Sequence, residues 1–428
     1  MKILIISHNP LTDQSNMGKT LCSLFSEFAP EELCQLYIYP TIPNEKRCGS
    51  FFRMTDKDAL RAVLDRRFCG GERKAVCRDA GMYEHSADAR FYRQRILSSA
   101  PAGLLRDAMW RHSGWYNGAL RVWLEKEKPD GIFVAPGGAA FLYDFALCIG
   151  TDLGIPIVTY LCDEHYFVRN PRGLLARRQL RLRKAKMEAL MARTAHLVAI
   201  CPELLAPYRQ RFGVPATVLM TGASVSLAGT AQTEAAPEAI SYFGNIRCNR
   251  YLALADVASA LDAINGALGT HYRLRVYTAE RDRKICRTLQ KHDSVEWMGF
   301  LTGAAFTAAL RTAGLLLHVE AFDEKSAETV KHSVSTKIAD SLASGVPLVA
   351  YGPENVASTA YLRRNGCAIV ASSPVELKET LLAAFTQETL RRDAVERALQ
   401  VAAENHDAAQ NSTRLREIWE NVLRREKE

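Results

Sequence analysis

The sequence predicts an α/β protein made of two doubly wound, Rossmann-like domains that face each other across a cleft. Three observations predict it. The chain has 428 residues, too many for one ordinary core and suited to two domains of roughly 200 residues each. Short runs of β-branched and aliphatic residues alternate with longer helix-like stretches, the pattern of a parallel sheet covered on both faces. That alternation occurs twice, and residues 223–239 (ASVSLAGTAQTEAAPEA), which are small, polar and aperiodic, separate the two series as a linker.

The elements follow in order. Ile3 to Ile6 reads as a strand buried on both faces. A loop follows, then a helix from about Gly18 to Phe28 and a second strand at Leu36 to Tyr39. Phe51 to Trp123 is mixed and rich in Arg and aromatics, and its periodicity indicates helices without placing them. Gly131 to Ala135 is a strand ending in Pro136-Gly137-Gly138, and Ala139 to Leu153 a helix. Gly154 and Pro156 punctuate the entry to a strand at Ile155 to Cys162. Met187 to Thr194 finishes a long helix, with strands at His196 to Cys201 and Thr217 to Met220. The second series places strands near Ile240 to Phe243, Leu274 to Thr278, Val295 to Met298, Leu315 to Val319, Pro347 to Ala350 and Ala368 to Val370; Pro374 to about Lys427 is helical. The domains are therefore 1–222 and 240–404, joined by the linker, with 405–428 as a terminal helix packing back on the first domain. Ligand belongs at the carboxyl ends of both sets of strands.

Composition narrows the function classes. Hydrophobic residues make up 48% and charged residues 24%, which excludes a disordered chain. A net charge of +8 suits an anionic ligand or an anionic surface without choosing between them. The 11 cysteines contain no C-x-x-C pair, which argues against a zinc ribbon or a thioredoxin-type site and fits a reducing compartment. Cys162 and Cys201 lie in apolar runs and read as core thiols. The opening MKILIISH is too short for a signal peptide, and no stretch reaches the ~20 apolar residues of a membrane span. The expectation is a cytoplasmic protein, peripheral on the inner face of a membrane.

Asn16-Met17-Gly18-Lys19-Thr20 looks like the end of a P-loop, but the phosphate cradle needs a glycine where Asp13 stands. The segment is either a flexible turn before a helix or a loop whose amides, with Asn16 and Gly18, face a ligand. Tyr242-Phe243-Gly244-Asn245 ends the first strand of the second series, with Arg247 and Arg250 close behind. Glycine lets backbone approach a pyrophosphate and arginine pairs with phosphate oxygens. HSVSTKIADSLASGVP, from His332 to Pro347, is the most specific stretch. Ser335, Thr336 and Lys337 combine hydroxyls, free amides and an ammonium where a helix begins, a phosphate site in kind. Asp340, three or four residues on, can accept from ribose hydroxyls.

Asp163-Glu164-His165 ends a strand of the first domain and supplies a candidate general base for an acceptor hydroxyl. Asp56-Lys57-Asp58 has the aspartate spacing of a metal-dependent transferase, but its charged, helix-like context reads as a solvated run, so no metal is expected. Between Arg169 and Arg193 nine basic residues face one acid, Glu188, with leucines interleaved. That stretch reads as a surface for anionic lipid rather than nucleic acid, for which no reading motif accompanies the charge.

The motifs YFGNIRCNR, VEWMGFL and STKIADSLASGVPLVA resemble the donor-binding half of a GT-B glycosyltransferase of the retaining, glycogen-synthase-like or capsule-polysaccharide group; MKILIISH, PDGIFVAP and LGIPIVTYLCDEHY resemble the acceptor half more loosely. The resemblance implies transfer of a hexose from a UDP- or GDP-type nucleotide sugar, itself a substrate, with no cofactor, to a glycan or lipid-linked acceptor in cell-surface polysaccharide synthesis. It implies Asp163, Glu164, His165 and Lys337 as catalytic residues. It implies donor contacts from Asn16, Gly18, Gly244, Asn245, Arg247, Arg250, Thr278, Gly299, Phe300, Ser335, Thr336, Lys337 and Asp340. Many retaining members carry two glutamates with seven residues between them; those positions here are His332 and Asp340, which marks a divergent branch. Two rivals stay open: an epimerase or sugar-phosphate synthase on the same fold, and a non-catalytic nucleotide-binding scaffold docked on a membrane.

Overall fold

A computed structural model describes residues 1–12, 16–39, 43–65, 68, 71–73, 100–169, 171–225 and 237–426. They form two compact units, one of residues 1–220 with 409–428, the other of residues 221–408. Both are sheets wrapped by helices, the first parallel but for one edge strand and the second parallel throughout.

The first unit has strands β1 (Ile3–Ser7), β2 (Leu33–Tyr37), β3 (Ser50–Arg53), β4 (Glu72–Arg73), β5 (Gly131–Ala135), β6 (Ile157–Leu161), β7 (Thr194–Ala199) and β8 (Ala216–Val218). Their order is β4-β3-β2-β1-β5-β6-β7-β8, and every pair is parallel except β3 with β4. The chain winds outward in both directions from β1, so the order reverses between β1 and β5. All five residues of β1 and of β5 are buried, because helices cover both faces.

The second unit has β9 (Ala239–Phe243), β10 (Arg273–Tyr277), β11 (Val295–Gly299), β12 (Leu315–Val319), β13 (Leu348–Tyr351) and β14 (Ile369–Ala371), ordered β11-β10-β9-β12-β13-β14 and parallel throughout. Its order reverses between β9 and β12. The helix Arg250–Leu268 lays Ala253, Leu254, Val257, Ala258, Leu261 and Ile264 on this sheet, an apolar stripe at helical spacing that meets Ile240, Leu274, Val276 and Leu315.

The terminal helix Ala408–Arg425 belongs to the first unit from residue 409 onward. Leu415, Ile418, Trp419 and Val422 are buried, and Arg416 makes a two-pronged contact with Glu32 at 2.8 Å on each prong. Strand β5 opens with Gly131 for a steric reason: a Cβ there would fall 2.4 Å from the Trp419 ring.

Most strands begin or end one to three residues from their expected places. The larger differences fall between residues 51 and 123. Here lie β4, unforeseen in the sequence, and β3, whose stretch was expected to be helical, with helices Asp56–Leu64, Ala100–His112 and Gly118–Glu127. Asp56 is not solvated, as its charged neighbourhood suggested. It is only 6% exposed, and its Oδ1 accepts from Arg106 Nε at 2.9 Å and Trp110 Nε1 at 2.6 Å, because the two helices pack together. Asp58 closes a capping box on Thr55. Of the expected linker, residues 226–236 lie outside the described residues.

Each unit holds a neutral histidine. Burial pushes His8 of the first unit and His406 of the second down to about 4. The His406 ring lies 2.8 Å from the Thr221 carbonyl at Nδ1 and 2.9 Å from the Tyr361 hydroxyl at Nε2. A folded pKa below the ordinary 6.5 means that the unfolded chain binds more protons as the pH falls. This stability is complete above pH 6.5 and is lost as the pH falls through about 4. Thermal unfolding of the second unit is therefore expected to weaken by on the order of 3 kcal/mol across that window. His406→Gln is expected to lose part of this pH dependence; an unchanged profile would contradict the neutral buried ring.

Candidate functional site

The carboxyl ends of the second unit's strands gather most of the expected donor residues. After β9 the chain turns at Gly244, with φ +154°, and a Cβ there would fall 2.9 Å from both Cε and Nζ of Lys337. The lysine therefore lies directly over bare backbone, which only glycine permits. Lys337 is the second residue of the helix Thr336–Ala343, and its N-cap, Ser335, makes no side-chain cap bond, so the hydroxyl is not committed to its own helix. An ammonium, a hydroxyl and the positive end of a helix thus meet the glycine turn.

The turn itself is held from several sides. Tyr242 Oη donates to the Asn245 carbonyl at 2.7 Å, and Asn245 Oδ1 accepts from the Arg247 amide at 2.7 Å. Cys248 and Asn249 both sit in the left-handed region, at φ 54° and 56°, a conformation unusual for residues with a side chain. Asn249 Nδ2 donates to Asp323 Oδ2 at 3.0 Å, which ties this loop to the one after β12.

Arg250 has a different role from the one expected. Its fork closes on Glu320, Nε to Oε2 at 2.9 Å and Nη2 to Oε1 at 3.0 Å. Glu320 directly follows β12 and is 2% exposed. Burial alone would raise its carboxyl; His318, at 3.3 Å, and Arg250 outweigh that and hold it below the usual carboxylate range. The pair spans the point of strand reversal, so this fork of Arg250 fixes the loops on either side of it.

The neighbouring strand ends complete the rim. Thr278 is buried at the end of β10 and its amide donates to the Gly299 carbonyl at 2.6 Å. Gly299 turns at φ +80°, leaving Phe300 63% exposed. Arg247 pairs with Glu280 at 3.0 Å. Phe243 stacks on Tyr277 at 4.4 Å. Beneath these loops, Ser241, Arg250, His318, Ser335, Lys337 and Ser341 line a recess of about 30 Å³. That is room for about one water.

Asp340 does not point to an open position for a ribose. It is 6% exposed, and its Oδ1 accepts from Ser224 N at 2.6 Å and Ser224 Oγ at 2.8 Å. The carboxylate anchors the segment that enters the second unit, a partner invisible in a motif read alone.

In the first unit, Asp163, Glu164 and His165 follow β6 but do different things. Glu164 Oε1 accepts from the amides of Tyr166 and Phe167 at 2.7 and 2.8 Å and from Tyr208 Oη at 2.9 Å. That oxygen builds the loop, while Oε2 is buried with no hydrogen-bond partner among the described residues. His165 approaches Gly138, whose Cβ would lie 3.4 Å from its Cε1. Burial holds the imidazole below its ordinary pKa against the opposing pull of Asp163, with Arg183 adding to the effect; a neutral ring is competent as a base. Gly18 lies in the first turn of the helix Asn16–Leu24; Asp13 and the Asn16 side chain lie outside what is described. Sequence reasoning missed Glu320, although a glutamate closing the apolar run LLLHV was its signal.

If Asp340 is an anchor, Asp340→Ala is expected to cost the second unit about 1.5–3 kcal/mol, the loss of charged hydrogen bonds. Ser224→Ala is expected to cost less, since it keeps the amide donor. Denaturant unfolding of both single variants and the double variant checks this; equal stability of Asp340→Ala and the parent would contradict it.

No protein-family model matches the chain, and no curated protein matches it in sequence. Solved structures do match. Anabaena HepE, solved with UDP and glucose, is 12% identical, with 98% of this chain and 100% of that one covered and a TM-score of 0.62. An α,α-trehalose 6-phosphate synthase from Burkholderia multivorans is 12% identical over 98% of each chain, with a TM-score of 0.62. A sucrose-phosphate synthase from Thermosynechococcus elongatus is 10% identical over 98% of each, with a TM-score of 0.63. Two doubly wound units of this kind, matched along nearly their whole length by these structures, give the chain the GT-B fold.

Proposed function

We propose that the protein transfers a sugar from a UDP- or GDP-type nucleotide sugar to a glycan or lipid-linked acceptor. The observation that carries this is Lys337 lying over Gly244 at the strand reversal of the second unit. The UDP-type reading draws support from HepE, which was solved with UDP-glucose. In the reaction, the bond between the anomeric carbon and the β-phosphate oxygen breaks and the nucleoside diphosphate leaves. The acceptor hydroxyl oxygen bonds the anomeric carbon, and its proton passes to a base, for which Asp163 and His165 are the candidates. Negative charge grows on the leaving diphosphate, where an ammonium and a helix N-terminus stabilise the transition state more than the ground state.

We further read the helix Leu174–Met191 as the contact with an anionic membrane, which suits a cytoplasmic enzyme working at its inner face. Leu174, 82% exposed, and Leu175 and Leu182 stand beside exposed Arg177, Arg178 and Arg181. Exposed leucines with arginines between them fit the boundary of an anionic bilayer. The basic residues do not form one face, however: Lys186 pairs with Asp144, and Arg183 turns inward.

UDP or GDP is expected to bind in calorimetry with EDTA present, because the phosphate contacts named here are protein donors. Lys337→Ala is expected to lower turnover by more than it weakens nucleotide binding. Binding that needs a divalent metal, or a variant that turns over like the parent, would contradict this reading. Arg177, Arg178 and Arg181 changed together to Glu are expected to release the protein from anionic vesicles, with wild-type binding weakening as salt rises. Vesicle binding that survives the triple change would make this a solvated helix.

A further inference from the structure

We propose that the first unit carries a phosphate site of its own, formed by the Gly137-Gly138 turn and Arg183, which recognises a phosphate group on the acceptor. The inference rests on the sugar-transfer reading and names the acceptor class. The turn follows β5, beside β1, at the strand reversal of the first unit, the place where doubly wound sheets bind ligands. Gly137 adopts φ +53°, and Tyr143 Oη donates to its carbonyl at 2.8 Å. That bond turns the carbonyl inward. Among the described residues, the Gly138 amide finds no hydrogen-bond acceptor. The 14-residue helix Ala140–Leu153 starts immediately after, and its N-cap, Ala139, supplies no side-chain cap.

Arg183 provides the cation. A Cβ on Gly138 would lie 3.6 Å from Arg183 Nη1 and 3.6 Å from His165 Nδ1, so the arginine and the candidate base flank the same bare spot. The Arg183 Nε is buried and meets no acceptor, and no carboxylate lies within ion-pair distance of its guanidinium, among the described residues. Of the acids that share its surroundings, Glu164 accepts from the Tyr166 and Phe167 amides and Tyr208 through Oε1, and Asp163 acts with Arg183 on His165. Asp144 is held by Lys186, and burial pushes the Asp107 carboxyl up, against Lys186, Arg106 and Arg183. A partly buried guanidinium without a counter-ion is costly. A glycine amide, a helix dipole and an arginine fork converging on one point make a setting for a phosphate. An acceptor phosphate held there would bring a nearby hydroxyl to His165.

The test is calorimetric titration of inorganic phosphate into the full chain already saturated with UDP, so that the second unit's phosphate positions are filled. One phosphate is expected to bind. Arg183→Ala is expected to weaken it at least about tenfold, and Arg183→Lys by less, since the charge stays but the fork is lost. Gly138→Ala keeps every charge, and its methyl group meets neighbours at ordinary contact distance. It too is expected to weaken phosphate binding while leaving thermal unfolding and UDP affinity as in the parent. Phosphate binding equal to the parent's in folded Arg183→Ala and Gly138→Ala would overturn the site. Failure of UDP to bind would strike the sugar-transfer reading alone, because the phosphate titration can be repeated without UDP. Competition then distinguishes the sources. Displacement of phosphate by a hexose 1-phosphate assigns a soluble acceptor, and displacement by a polyprenyl phosphate in detergent micelles a lipid-linked one. Displacement by neither would overturn the acceptor role.

Discussion

The second unit depends on one buried ion pair, Arg250 with Glu320. Taking both charges out of water costs several kcal/mol per ion, and the cost is recovered only when geometry is good and the remaining lone pairs are engaged. Here the geometry is good: the contact is two-pronged, at 2.9 and 3.0 Å, and the His318 ring lies 3.3 Å from the same carboxylate. The pair joins the first turn of the helix after β9 to the first residue after β12. It therefore fixes the two loops that border the strand reversal. The left-handed Cys248 and Asn249, and the Asn249–Asp323 bond, are consequences of holding the chain in that narrow place.

Once those loops are fixed, the chemistry follows from what can approach them. Gly244 has no Cβ, so Lys337 settles over the backbone; Ser335 leaves its helix uncapped and faces the same recess. The first unit repeats the scheme at its own reversal with other residues: a glycine pair after β5, an uncapped helix, and a basic side chain arriving from a later helix. In both units the sheet supplies position and the side chains supply charge.

Much of the architecture was legible in the sequence because parallel strands buried on both faces are continuous apolar runs. ILII, GIFVA and LLLHV declare themselves, and the punctuation by Gly154 and Pro156 marks an entry. The edge was not legible: SFFR is short and ER carries no apolar signal, so β3 and β4 were lost in an arginine-rich stretch. Gly244, Ser335 and Lys337, which the structure brings together, could be picked out because glycine, hydroxyl and ammonium in this order stand out locally. The contacts of Arg250, Asp340 and Asp56 were not legible for one reason. Each is a polar group whose partner, Glu320, Ser224 or Trp110, is distant in sequence and near in space. Spacing within a motif reports which face of a helix a carboxylate lies on and not what covers that face.

The central claim is that a nucleoside diphosphate lies over the loops of the second unit's strand reversal. Hydrogen–deuterium exchange of the full chain, with and without UDP, tests it residue by residue. The account predicts slowed exchange at Gly244 to Arg250 and at Ser335 to Lys337, with the β14 edge unchanged. Protection confined to the first unit, or none at saturating UDP, would contradict it.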